Sequence, residues 1–149
     1  MAIVYALHLL AAIVWVGGMF FAHLVLRPAA MELEPAQRLA LWLRVFDRFF
    51  RWVWAAIVVL PLSGYALIGG LGGMGAVGWP VHVMQAAGWV MIALFLHLAF
   101  APYRRMGAAL AAGDLQGAAA QQATIRRIVT LNLTLGLTIS ALVAAGRWM

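Results

Sequence analysis

Four histidines, His8, His23, His82 and His97, are the residues of this chain best placed to do chemistry. Each falls in a long apolar stretch, where an ionisable side chain is costly and marks a functional site by default. The spacing repeats: fifteen residues separate His8 from His23, and fifteen separate His82 from His97. On a helix, fifteen steps leave two rings only roughly 60° apart in azimuth and roughly 22 Å apart along the axis. Both members of each set can therefore share one face. If their two helices run the same way, His8 lies level with His82 and His23 with His97.

Two facing imidazole pairs, one above the other, narrow the chemistry. Zinc and copper sites usually need three or four ligands, yet the chain has no Cys and its apolar stretches contain no carboxylate. Two neutral imidazoles suit the axial positions of a haem iron, whose macrocycle supplies the other donors. The expectation is two b-type haems per chain, held by His8 with His82 and by His23 with His97. Arg27, Arg104 and Arg105, beyond the lower pair, are candidates for the propionates. Gly17, Gly18, Gly64, Gly88 and Gly136 leave room for a porphyrin, although small residues equally let membrane helices approach. Met19, Met84 and Met91 offer soft thioethers for copper, the weaker alternative, but Met also fills apolar helices. Thr130, Thr134 and Thr138 form a helical stripe suited to interhelical hydrogen bonding.

Composition dictates what positions these residues. Of 149 residues, 66% are hydrophobic and 9% charged, with mean hydropathy +0.99. A soluble domain of this length cannot hide so much apolar surface in one core, which excludes a soluble enzyme and a disordered chain. A membrane helix needs about 20 apolar residues. Four spans are expected, at 2–26, 48–69, 79–102 and 124–147, in one all-α, up-down four-helix transmembrane domain. The glycine-rich run from Gly69 to Gly78 turns the second span into the third.

Arginine supplies all the basic charge except histidine, and there is no Lys. Arg27, Arg38, Arg44, Arg48 and Arg51 lie between spans one and two or in the first turn of span two, and Arg104, Arg105, Arg126 and Arg127 between three and four or in the first turn of span four; only Arg147 lies elsewhere. The positive-inside rule puts these two connections in the cytoplasm and both termini in the periplasm, for a bacterial inner membrane. The net charge of +6 thus records topology rather than nucleic-acid binding. Pro35 opens a helix whose Leu39, Trp42, Leu43 and Phe46 recur at helical spacing, an interfacial collar running into span two. Asp114 is placed to cap a second such helix entering span four.

The first span, Tyr5-Ala6-Leu7-His8-Leu9-Leu10 followed by Trp15-Val16-Gly17-Gly18-Met19-Phe20, resembles the copper-resistance protein D family. It is also similar to the related HemJ-type membrane protoporphyrinogen oxidases, as is the third span with Trp79, His82 and His97. The resemblance implies a four-helix membrane protein, with haem b in the HemJ branch and copper in the other. Met84 stands where the HemJ pattern places a Lys. The reading from the residues is a di-haem b-type cytochrome carrying electrons to or from quinone or a redox protein partner, with room for a homodimer. A HemJ-like oxidase and a copper transport or resistance protein are the alternatives.

Overall fold

A computed structural model describes residues 1–146; Arg147, the last residue assigned to span four, lies outside them. Helix α1 runs Ala2–Phe21, continues through one π turn at Ala22–Leu26, and ends as α2, Arg27–Ala30. Then follow α3, Pro35–Gly70, and a 3-10 turn at Met74–Ala76. Helices α4, Trp79–Phe100, α5, Pro102–Ala111, and α6, Leu115–Ala145, complete the chain. Four helical stretches are long and apolar enough to cross a membrane. The expected all-α four-helix membrane bundle is what forms.

Local chemistry sets the ends. Pro35, Trp79-Pro80 and Pro102 begin helices, where a missing N–H costs nothing. Asp114 caps α6 as expected, its Oδ1 accepting from Gly117 N at 2.8 Å. The turn after α3 needs left-handed backbone at Gly72 (φ 102°) and Gly73 (φ 92°), which glycine adopts without a Cβ clash.

Packing joins α1 to α3 and α4 to α6. The α1–α3 pair is antiparallel, with Met1 beside Gly70, His8 beside Gly64 and Gly18 beside Phe49. The two pairs meet through Trp15, Phe95, Phe50 and Trp54, which form edge-to-face contacts. A Cβ on Gly136 of α6 would fall 2.8 Å from Val16 and 3.2 Å from Met91. Glycine there lets α6 reach both α1 and α4 closely.

The arginine-bearing end departs from the interfacial collar expected from the sequence. The N-terminal half of α3 packs with α5 and the start of α6 into a helical extension. Its Leu39, Trp42, Phe46, Met106, Ala118 and Ile125 are buried, and the last three have no exposure. A helix lying flat on lipid would leave such side chains against acyl chains; here they face one another. The periodicity of α3 was legible, but its partner helices were not.

Candidate metal-binding site

His8 projects from α1 toward α3, the second span, and its Nδ1 lies 2.8 Å from Ser63 Oγ. Ser63 is buried, and its hydroxyl donates to Val59 O at 2.5 Å, with Leu60 O at 3.3 Å. That commitment of the only hydroxyl proton decides the imidazole tautomer: Nδ1–H donates to Ser63 Oγ, and Nε2 keeps its lone pair. Metal-bound histidines are commonly oriented in this way, the second nitrogen donating to a fixed acceptor. Gly64 supplies the space, since a Cβ there would lie 3.2 Å from His8 Cε1. A serine and a glycine inside an otherwise apolar span, just after Pro61, were the signal in the sequence for this contact.

Other soft donors share the environment of α1. Met1 precedes His8 by seven residues, almost two full turns, so both occupy one face. Trp15 and Met19 continue that face into the core and are buried. Met91 enters from α4 and reaches the level of Val16, both being neighbours of Gly136. His23 lies half-buried within the π turn, whose i→i+5 bonding widens the helix. The even fifteen-step rotation expected between His8 and His23 therefore does not hold over its last residues.

The third-span histidines are placed differently. Met91, Phe95 and Leu98 are the buried side of α4, whereas His82 and His97 are exposed. His82 is nine residues from Met91, about 180° around the helix, and His97 is six residues away, about 120°. The two share a face, as their spacing requires, and it is the outer one. The bundle does not bring His8 to His82 or His23 to His97. Between α1 and α4 the interior is filled by Trp15 against Phe95, with Met91 beside it. A porphyrin bridging those pairs inside one chain does not fit this packing. Among the described residues no three His, Asp or Glu side chains gather as a metal-binding group.

The expected propionate partners lie at the arginine-bearing end. Arg27 is half-buried below the π turn, Arg105 is exposed, and Arg104 sits over the Phe100 ring at 5.5 Å. A groove of about 260 Å³ opens there between α3 and the α4–α5 junction, bordered by Asp47, Arg51, Trp54, Tyr103 and Arg104. Asp47 and Arg51 pair at 3.0 Å on its rim. Burial, reinforced by the Asp47 carboxylate and opposed by Arg51, pushes the Tyr103 phenol above its ordinary value. This groove lies at the middle of α3, before the segment that carries Ser63. Of the threonine stripe, Thr130 and Thr134 bond carbonyls of their own helix. The interhelical bond of α6 instead comes from Asn132, whose Nδ2 donates to Met91 O at 3.2 Å.

A family model described as copper resistance protein D matches residues 43–146. The match takes in spans two to four and leaves out the first-span motif on which the sequence resemblance rested. No curated protein and no solved structure matches the chain.

Proposed function

This chain belongs to the copper resistance protein D family, and from that premise we propose that it binds copper(I) within the membrane and passes it along the inner face of α1. The observation that carries the reading is the fixed His8 imidazole, with Nδ1 held by Ser63 and Nε2 free to donate. Imidazole and thioether are suitable ligands for copper(I). Met1 precedes His8 on the same face, and Met91, Met19 and His23 follow toward the inner end. The donor spacing suits successive low-coordinate sites rather than one closed cage, so an ion can leave each site for the next.

The family and the four apolar helices make this a multi-pass membrane protein. The arginine distribution supports an inner-membrane setting with both termini periplasmic, so His8 is near the periplasmic end. Copper is preferred to the di-haem electron carrier and the HemJ-like oxidase because of the family match, and because His82 and His97 lie on the outer face of α4.

Copper(I) competition with purified protein, together with pyridine haemochrome analysis, tests the reading. Bound copper(I) that is lost in His8→Ala, with little haem, supports it. A preparation carrying b-type haem whose content falls in His8→Ala, with no copper(I) retained, overturns it in favour of the haem reading.

A further inference from the structure

The outer face of α4 carries polar groups that the chain itself does not satisfy. His82 and His97 are exposed within a membrane span, and neither ring makes a hydrogen bond among the described residues. Several other polar side chains near the lipid face of this bundle differ in this respect, although exposed Tyr5 and Thr138 do not. Gln85 and Trp89 both donate to Tyr65 Oη, and Thr130 and Thr134 donate to carbonyls one turn back. Between the two histidines lie Ala86 and Ala93, also exposed, at positions four and eleven residues after His82. The 4-7-4 spacing of His82, Ala86, Ala93 and His97 forms one seam along the helix, polar at its ends and small in its middle. Small residues in the middle allow a second helix to approach closely.

We propose that this seam is an interface with a second copy of the chain, packed in parallel, that brings His82 to the partner's His82 and His97 to the partner's His97. Two arguments select that occupant over lipid. All copies share one orientation in the bilayer, because the arginine-bearing connections lie at one end, so a two-fold axis along the membrane normal places like residues at the same depth. A neutral imidazole has one donor and one acceptor nitrogen, which makes it self-complementary: one ring donates and its twin accepts. Acyl chains offer neither group. Each facing pair is also a two-nitrogen site that one copy cannot build alone. This inference does not depend on what the His8 site binds.

The absence of cysteine makes the test direct. Single variants Ala86→Cys and Ala93→Cys are oxidised in native membranes, beside Ile13→Cys on α1 and Leu137→Cys on α6, both exposed positions. The expected result is disulfide-linked dimer at Ala86 and Ala93 at least five-fold above the two controls. Adding His82→Leu and His97→Leu to either variant should lower that yield several-fold. Equal cross-linking at all four positions, or dominant cross-linking through Ile13→Cys or Leu137→Cys, overturns the interface, as does a lipid-phase maleimide labelling Ala86→Cys with no dimer formed. Dimer yield unaffected by the histidine replacements overturns the pairing of imidazoles.

Discussion

The indole of Trp15 meets the ring of Phe95 edge to face, with centroids 6.3 Å apart and planes at 75°. Both residues are buried, and the contact joins the α1–α3 half of the bundle to the α4–α6 half. Truncating an aromatic at such a site removes its contacts and leaves a void, at a cost of about 3–5 kcal/mol in well-packed cores. Trp15→Ala or Phe95→Ala is therefore expected to lower the thermal unfolding midpoint in detergent markedly. The double variant should cost less than the sum, because the residues touch. Additive losses would show that the contact contributes nothing.

Ser63→Ala removes the acceptor for His8 Nδ1–H and releases the ring to rotate. Loss of such an orienting partner typically costs 10–100-fold in metal affinity, and that is the expected drop in copper(I) affinity by competition titration. Ser63→Thr, which retains the hydroxyl, should recover most of it. A Ser63→Ala protein with unchanged affinity and intact helicity would falsify the positioning role.

Two glycines in the spans should respond oppositely to the same change. Gly136→Ala places a methyl against Val16 and Met91, and overpacking of this kind costs typically about 1–3 kcal/mol. Gly88→Ala meets nothing within 4 Å, and restricting the unfolded chain should stabilise by about 0.4–1 kcal/mol. Thermal or denaturant unfolding of the two variants side by side checks the sign of each.

Orientation is read by single-cysteine labelling with an impermeant reagent. Gly75→Cys, in the open turn between α3 and α4, should label from outside intact cells. Ala112→Cys, at the end of α5, should label only after permeabilisation. The reverse pattern would invert the topology and place His8 at the cytoplasmic end.

Which end of the bundle carries arginine was legible in the sequence, because arginine is costly in hydrocarbon and collects at one end. Direction around each helix was not. A membrane span is apolar on every side, so its composition does not say which side meets another helix. The fifteen-residue spacing correctly put His82 and His97 on one face of α4, but only the packing of Met91, Phe95 and Leu98 reveals that this face points outward. On α1 the same reasoning placed His8 toward the interior, where it meets Ser63 of the second span instead of the third. The π turn at His23 leaves no pattern in residue type. Likewise, Leu39, Trp42 and Phe46 announced a helix, while their burial depends on the α5–α6 hairpin that carries Met106 and Ile125, far later in the chain.

Helix α3 runs without interruption from Pro35 in the inner extension to Gly70 at the outer turn. The residue that orients His8 is thus mounted near one end of a lever arm. Proline at 61 deprives that region of one backbone hydrogen bond, which makes it the natural pivot. From there to Pro35 is about 39 Å along the axis, so a tilt of about 5° at the pivot becomes a displacement of about 3 Å at the far end. A small tilt at Pro61 would thus be magnified at the arginine-bearing end, where Arg38 and Arg44 lie. On such a lever the Ser63 end is the short arm, and it trades a small movement of its own for a large one at the Pro35 end.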